Sequence, residues 1–355
     1  MKQENYIKKS LLWDITRRCN LSCIHCYNSG GISNEHELEI ATNYKAIIDR
    51  VVQAGFNHIH LLGGEPLLVN GLLDLLYYAN KKGILTSINT NGTLLTKKII
   101  NELIESNVLQ LTFSLDGATE SSNDAIRGSG NYKRVTENIR QTISCIEQAK
   151  STMLVQVATV VTKQNIFTIH KLPKVLRNIG VKYLDVLKLY ECGNAVSNEY
   201  SLQLKSEEYL AALCKLLIES YRNQIFAQFD CKPKVLELIN LRYGFPPEYN
   251  ISEFASCNAG KRFLFLDYKG DIYPCGPFAH EVANTELTTN IFSKDCIEQL
   301  TKIEESIHDR IYKFASLPCP PVCSDCQFNE CCSGCAICYK GHDELCKTAL
   351  RLYSV

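Results

Sequence analysis

The sequence predicts an α/β protein that begins with a partial barrel and ends in a small cysteine-rich domain. Two observations support this prediction. Short apolar runs alternate with amphipathic segments from residue 11 to about 191, which is typical of parallel strands with helices packed outside them. The 355-residue chain also contains 18 cysteines, and most of them are clustered near its two ends.

Six strands are predicted, all rich in Ile, Val, Leu and Thr. In chain order they are LLWDIT at 11–16, HIHLLG at 58–63, GILTSINT at 83–90, VLQLTFSLD at 108–116, STMLVQVATVV at 151–161 and VKYLDVLKLY at 181–190. Six strand–helix units are fewer than the eight of a closed barrel. We therefore expect a partial (β/α)6 barrel over residues 1–195.

Helix-like segments separate these strands, at 37–55, 71–83, 96–106, 132–148 and 165–180. Residues 196–253 are predicted to form a helical bridge. Residues 254–355 are predicted to form the third unit, which starts with a hairpin, FLFLDYKGDIYPCG, that turns at Lys269-Gly270-Asp271. A helix is expected near 295–315, and the tail after Leu317 is predicted to be loop-like.

The charge pattern excludes several classes of partner. The 38 Lys and Arg residues balance 38 Asp and Glu residues without a lysine-rich run, so neither nucleic acid nor an anionic membrane is expected. The first residues, MKQENYIKKS, lack the apolar core of a secretory signal, and no apolar run has transmembrane length. A cytoplasmic protein is expected, whose cysteines bind metal rather than form disulfides.

Three cysteines follow the first predicted strand with the spacing C-x3-C-x2-C. They are Cys19, Cys23 and Cys26, in the segment RRCNLSCIHCYNSGG. Parallel α/β folds bind ligands at the carboxyl ends of their strands. A zinc half-site is one alternative, but structural zinc needs four ligands and no fourth lies nearby. Three thiolates on a cubane cluster would leave one iron open to a non-protein ligand, which is a catalytic arrangement.

On this motif the sequence resembles the radical SAM superfamily, over nearly its whole length. The resemblance implies that the three cysteines hold a [4Fe–4S] cluster whose fourth iron is chelated by S-adenosylmethionine. It also implies reductive cleavage of S-adenosylmethionine to methionine and a 5′-deoxyadenosyl radical, which takes a hydrogen atom from an unactivated C–H bond. An electron donor such as flavodoxin or ferredoxin is then expected.

Further motifs occur in the order of the family, each near the end of a predicted strand. By resemblance, the backbone of GGEP holds the methionine amino group, and the serine and arginine of SLDG…RG contact ribose or carboxylate. Taken alone, such motifs are also typical of plain turns. The expected cofactor-binding residues are Gly63, Gly64, Glu65, Pro66, Asn91, Ser114, Asp116, Arg127 on the following loop, and Leu189, with Gly193 beside it. His25 and Tyr27 are expected to pack near the adenine or to cover the cluster.

The isolated cysteines receive a different interpretation. Cys145, Cys214, Cys231 and Cys296 are expected to be small buried hydrophobic residues. Cys192 lies just beyond the sixth strand, near the expected cofactor site. It is therefore a candidate hydrogen-atom donor.

The C-terminal cysteines resemble the SPASM extension of the same superfamily. Cys257, Gly270 and Cys275 match its C-x9–15-G-x4-C motif. The resemblance implies two auxiliary clusters, which brings the expected total to three [4Fe–4S] clusters. The implied ligands are Cys257, Cys275 and Cys335 for the first auxiliary cluster, and Cys323, Cys326, Cys331 and Cys346 for the second. Cys319 and Cys338 are candidates for a missing fourth ligand, and Cys332 is an alternative to Cys331. A zinc ribbon explains the Cys-x2-Cys pairs but not the Gly270–Cys275 spacing.

SPASM enzymes mostly modify peptides or proteins, so the resemblance implies a peptide substrate and a crosslink, thioether or epimerisation as product. Gly276 replaces the acidic residue of the sulfatase-maturing branch, which counts against that branch. Cys19 lies too near the start for a leader-binding domain, so a separate leader-binding protein is expected if a leader is recognised. The alternatives are a small-molecule substrate, such as a tetrapyrrole or an aminocyclitol, and a non-catalytic metal-binding scaffold.

Overall fold

The structure is a computed structural model that describes residues 7–31, 37–231, 233–245, 259–260, 262–276, 279, 288–303 and 342–353. Its strands are β1 (Ser10–Asp14), β2 (His58–Leu62), β3 (Leu85–Thr90), β4 (Gln110–Ser114), β5 (Leu154–Val160), β6 (Tyr183–Leu187), β7 (Phe226–Phe229), β8 (Phe263–Leu266), β9 (Asp271–Tyr273) and β10 (Thr289–Asn290). They form one sheet in the order β10-β9-β8-β1-β2-β3-β4-β5-β6-β7. Neighbours from β8 to β7 are parallel, whereas β9 is antiparallel to both β8 and β10. This parallel sheet confirms the predicted fold class.

Helices connect the strands. They are α1 (Ile40–Gln53), α2 (Leu72–Lys81), α3 (Lys97–Glu105), α4 (Glu120–Arg127), α5 (Asn131–Ala149), α6 (Leu172–Asn178), α7 (Asn194–Ser197), α8 (Glu199–Leu202), α9 (Ser206–Arg222), α10 (Pro233–Tyr243), α11 (296–303) and α12 (His342–Tyr353). Among the helices of the described ranges, none has both the length and the apolar character needed to span a bilayer.

The two faces of the sheet differ in chemistry. On the outer face, Leu11, Trp13 and Ile15 are fully buried and pack with apolar side chains of the surrounding helices, such as Ile47 and Leu76. Each such side chain contributes about 1.5–3 kcal/mol through removal from water. This outer layer is the hydrophobic core of the protein.

The inner face is formed by every second residue of β1–β7, since side chains alternate across a strand. The first inward residue of each strand is, in order, Ser10, His58, Leu85, Gln110, Leu154, Tyr183 and Phe226. Many inward positions are polar, and none of those in β1–β7 is Lys or Arg. The barrel interior is therefore a polar surface without a fixed positive charge on its strands.

Three elements differ from the sequence prediction. The expected helical bridge contains β7, whose four residues are too few to show an alternation in the sequence. The expected loop before Gly128 is the helix α4, which ends at Arg127. In the tail that was expected to be loop-like, α12 is helical, because Leu345, Ala349 and Leu350 share an apolar face that packs on the core. The hairpin of β8 and β9 was predicted correctly, whereas the domain boundaries remain a prediction.

Candidate metal and cofactor site

The three-cysteine loop (residues 17–31) follows the carboxyl end of β1, as expected. The backbone N–H of Cys19 donates to the Gly31 carbonyl at 2.9 Å and closes the loop. Two other amides point at the sulfurs: Leu21 N lies 3.4 Å from Cys19 Sγ, and Gly30 N lies 3.2 Å from Cys26 Sγ. Hydrogen bonds of this kind stabilise thiolate ligands and tune the potential of an iron–sulfur cluster.

Burial makes the thiols of Cys19 and Cys23 poor thiolates on their own. Burial raises the pKa of Cys23 to about 11, although the Arg127 guanidinium 3.9 Å from its sulfur favours the ionised form. Burial also raises the pKa of Cys19. A thiolate in this loop therefore needs more positive charge than Arg127 supplies, and iron would provide it.

The donor set fits a cluster better than a single ion. Cys19, Cys23 and Cys26 carry free thiols, so no disulfide competes for these sulfurs. In the same ranges, no three His, Cys, Asp or Glu side chains converge closely enough to hold one metal ion. Three cysteines around a wider space suit separate irons of one cubane.

Glu37 fixes the start of the three-cysteine loop. Its carboxylate accepts hydrogen bonds from Thr16 Oγ1 at 2.8 Å and from the Arg17 backbone N–H at 2.7 Å. It also pairs with the guanidinium of Arg18, with Nε at 3.2 Å. No pattern in the sequence indicates this role, since Glu37 lies before a helix and within no motif.

The GGEP segment packs directly on this loop. Gly64 N donates to the Thr16 carbonyl at 2.6 Å, and Glu65 N donates to the Arg18 carbonyl at 2.9 Å. A Cβ at Gly64 would lie 2.1 Å from the Arg18 carbonyl oxygen, so only glycine fits. The close approach that requires glycine is thus to the protein's own backbone. Pro66 then begins a 3-10 turn.

The Glu65 side chain connects GGEP to the NTNG turn. It is fully buried and accepts hydrogen bonds from Thr90 Oγ1 at 2.8 Å and from Asn91 N at 2.7 Å. Burial raises the pKa of Glu65 to about 7. Asn91 in turn donates to Asn20 Oδ1 at 2.8 Å and lies 3.7 Å from Cys19 Sγ. Glu65 therefore positions the turn that contacts the first cysteine.

The structure brings together His25, Asp116 and Arg127, which the sequence placed on three separate segments. Asp116 Oδ2 lies 2.6 Å from His25 Nε2 and 2.6 Å from Arg127 Nε, and Asp116 is fully buried. Burial alone would raise the pKa of Asp116, but the charges of Arg127 and His25 hold it well below its usual range. Arg127 was expected on a loop, but it is the last residue of α4, and this helix holds its side chain against Asp116. Asp116 thus fixes both side chains beside Cys23.

The side chain of Tyr27 is held by Asp14, the last residue of β1. Its hydroxyl donates to Asp14 Oδ1 at 2.9 Å, and Asn28 Nδ2 donates to Asp14 Oδ2 at 3.2 Å. Burial, together with the negative charge of nearby Asp267, raises the pKa of Asp14 to about 7. The predicted contact of Tyr27 with adenine stays a prediction.

The loop after β6 holds the three-cysteine loop from the opposite side. Asn194 donates twice, from its backbone N to the Cys26 carbonyl at 2.8 Å and from Nδ2 to the Cys23 carbonyl at 3.0 Å. Asn198 Nδ2 donates to the Ile24 carbonyl at 3.2 Å. Neither asparagine was predicted from the sequence, although the neighbouring Gly193 was a signal. Together they form a clasp on the cysteine loop.

Some of the remaining predicted residues lie in the part of the chain that the structure describes. Ser114 is half-buried at the inner end of β4, and Leu189 and Cys192 are half-buried in the loop after β6. Cys275 and Cys346 are half-buried in the C-terminal part. The other predicted auxiliary ligands lie outside the described residues: Cys257, Cys319, Cys323, Cys326, Cys331, Cys332, Cys335 and Cys338. Their roles, like those of the residues above, remain predictions.

Residues 13–157, which contain the three-cysteine loop, GGEP and Asp116, match the family model described as the Radical SAM superfamily. The chain is a radical SAM enzyme. The resemblance seen in the sequence is thereby confirmed, and with it a SPASM-type C-terminal extension.

Two similar proteins and one solved structure place this radical SAM enzyme among its relatives. It is 28% identical over 283 residues to the AdoMet-dependent heme synthase of Methanosarcina barkeri, covering 75% of this chain and 76% of the other. It is 26% identical over 335 residues to the mycofactocin maturase MftC of Mycolicibacterium smegmatis, covering 92% and 77%. The crystal structure of native anSMEcpe with bound AdoMet and the Cp18Cys peptide superposes with a TM-score of 0.66 at 19% identity, covering 97% and 96%. That structural likeness shows a shared fold.

The clasp of this radical SAM enzyme leads to a first prediction. A Cβ at Gly193, whose φ is +59°, would lie 2.4 Å from the carbonyl oxygens of Cys26 and Tyr27. We expect Gly193→Ala to displace the cysteine loop and to lower the iron content of the anaerobically purified protein. Gly83→Ala is the matched control, since Gly83 has a φ of +76° but a Cβ there would meet no atom within 4 Å. Equal iron content in the two variants would contradict the clasp.

Proposed function

We propose that this radical SAM enzyme modifies a peptide at a C–H bond, in the cytoplasm. The observation that supports this choice is the chemistry of the inner face. Tetrapyrroles such as heme carry carboxylates, which proteins usually bind with Arg or Lys. The inward positions of β1–β7 carry neither, and they include the carboxylates of Asp14 and Asp185. A neutral or cationic substrate suits this surface better than an anionic one.

The cofactor site would be assembled from three parts of the chain. Cys19, Cys23 and Cys26 would hold the [4Fe–4S] cluster, and S-adenosylmethionine would supply the hydrogen-abstracting radical when bound. The N–H groups of Gly64 and Glu65 already donate to the cysteine loop. The GGEP backbone would therefore bind S-adenosylmethionine through its carbonyl oxygens, because the ammonium group of the methionine part needs hydrogen-bond acceptors.

The protein's own residues would orient this chemistry. Asp116 holds Arg127 next to Cys23, where its guanidinium offsets part of the negative charge of the thiolates. Asn194 and Asn198 hold the backbone of the cysteine loop from the β6 side. These contacts keep the loop in one position while the electron is delivered.

The proposal includes two auxiliary [4Fe–4S] clusters in the SPASM-type extension, with the ligands named above. The relatives are divided. The anSMEcpe structure contains a bound peptide and MftC is named a maturase, which supports a peptide substrate, whereas the Methanosarcina barkeri protein is named a heme synthase. A flavodoxin or ferredoxin would supply electrons, and a separate protein would present a leader if one is recognised.

The experiment compares candidate substrates directly. Anaerobic enzyme, dithionite and S-adenosylmethionine are incubated with synthetic peptides encoded beside its gene, with iron-coproporphyrin, or with an aminocyclitol. We expect a mass change on a peptide that disappears in Cys26→Ala, measured by mass spectrometry. Conversion of the porphyrin or the aminocyclitol, with every peptide unchanged, would overturn the peptide assignment while leaving the radical chemistry in place.

A further inference from the structure

Asp185 is the central residue of β6 on the inner face. Its neighbours Leu184 and Val186 point outward and are fully buried in the core. It lies in register with Ala158 of β5 and Gln228 of β7. The side chain of Asp185 therefore projects into the barrel interior, where it is half-buried.

Several other polar groups of the inner face have partners. His60 Nε2 lies 2.8 Å from Asn89 Oδ1, and Gln110 donates to Gln156. The carboxylate of Asp185 is different: among the described residues, no group donates a hydrogen bond to it or forms an ion pair with it. A carboxylate that is partly removed from water without a partner lowers the stability of the fold. Its retention in the interior points to a partner that arrives with the substrate.

The charged surroundings of Asp185 define the chemistry of that partner. Its close charged neighbour is Asp230, which follows β7 and accepts a hydrogen bond from the Tyr190 hydroxyl at 3.1 Å. Burial, together with the negative charge of Asp230, raises the pKa of Asp185 to about 7. A cation at this position would relieve both effects. A metal ion is disfavoured, because the described residues supply no third ligand here.

We infer that Asp185 anchors a cationic group of the substrate, an ammonium or a guanidinium, on the inner face of the barrel. This inference rests on the proposed peptide function. It is consistent with the position of Asp185 on the strand whose following loop carries Cys192 and the clasp. A substrate held at Asp185 is thus held by the same strand that leads to the cofactor site. Asp185 then determines which peptide side chain or terminus is held there.

The test measures binding to the full-length enzyme reconstituted with iron–sulfur clusters and S-adenosylmethionine. Isothermal titration uses the acetylated, amidated peptides GGKGG and GGRGG, the same peptide with norleucine in place of Lys, and GGGGG with a free N-terminus. n-Butylammonium serves as a non-peptide probe. The variant is Asp185→Asn, which keeps the size of the side chain and removes its charge. Asp74→Asn, on the exposed side of α2, is the matched control.

We expect the unaltered enzyme to bind a cationic peptide at least about tenfold more tightly than the norleucine peptide, as one charge-assisted contact predicts. Asp185→Asn should reduce this ratio to about one, while Asp74→Asn keeps it. The peptide that binds more tightly than the norleucine peptide shows whether Asp185 holds a cationic side chain or a free N-terminus. A ratio of one in the unaltered enzyme, or the same ratio in Asp185→Asn at equal iron content, would overturn the inference. If n-butylammonium binds in an Asp185-dependent manner but no peptide is ever modified, the anchor stands and the peptide function fails.

Discussion

Replacement of Cys19, Cys23 and Cys26 by Ala is expected to abolish all cleavage of S-adenosylmethionine. With four irons in each of the three proposed clusters, the protein should also lose about a third of its iron. The reason is that the burial and the amide donors around these sulfurs prepare them for iron, and Ala offers no ligand. The measurements are iron per chain after anaerobic reconstitution and chromatographic detection of 5′-deoxyadenosine.

The chain offers a matched control for this triple variant. Cys145, Cys214 and Cys296 are also buried, but they lie in the hydrophobic core. Their joint replacement by Ala removes three sulfurs from the core, far from the three-cysteine loop in the sequence. We expect this control to keep its iron and its cleavage activity. Cleavage that persists after loss of the first three cysteines would show that the cluster is held elsewhere.

Arg127→Met is expected to cause the second large effect, a loss of stability. Asp116 is fully buried, and Arg127 is the permanent cation beside it. Removing one partner of a buried ion pair typically costs about 3–5 kcal/mol, because the remaining charge stays in the interior. We expect a loss of this order in the free energy of unfolding, measured in urea under anaerobic conditions, together with weaker cluster retention.

Two further variants show whether the Asp116–Arg127 ion pair is responsible for the loss of stability. Arg222→Met breaks an exposed ion pair with Glu219 on α9, at 2.7 Å, and should change stability by less than about 1 kcal/mol. The double variant Arg127→Met with Asp116→Asn removes the unpaired charge and should recover part of the loss. A loss in Arg127→Met no greater than in Arg222→Met would rule out the proposed role of Asp116.

The barrel could be predicted from the sequence because its strands are apolar, regular and separated by amphipathic helices. Trp13 and Leu61 illustrate the rule, since each alternates with inward residues and each is fully buried. The strand β7 could not be predicted in the same way. Its Phe226 is about half exposed, and among the described residues its four residues pair only with β6, so nothing in the local pattern separates it from a loop.

The candidate site, like the fold, could be predicted from the sequence only in part. The three cysteines could be identified because they lie at a fixed spacing within one loop, and the glycines of GGEP because they belong to a short local motif. The role of Asp116 could not be derived, because its partners His25 and Arg127 come from distant segments that only the folded sheet brings within 2.6 Å. Asn194 and Asn198 are further examples, since they contact backbone carbonyls about 170 residues away. Such contacts carry no sequence signature of their own.

The pairing of β8 with β1 has a consequence for synthesis in the cell. β1 ends at Asp14, but its second neighbour begins only at Phe263, about 250 residues later. At ribosomal rates of about 5–20 residues per second, one edge of β1 stays uncovered for roughly 10–50 seconds. During that time the nascent chain presents a strand edge that can pair with other chains. Chaperones that cover this strand edge should therefore raise the yield of folded protein.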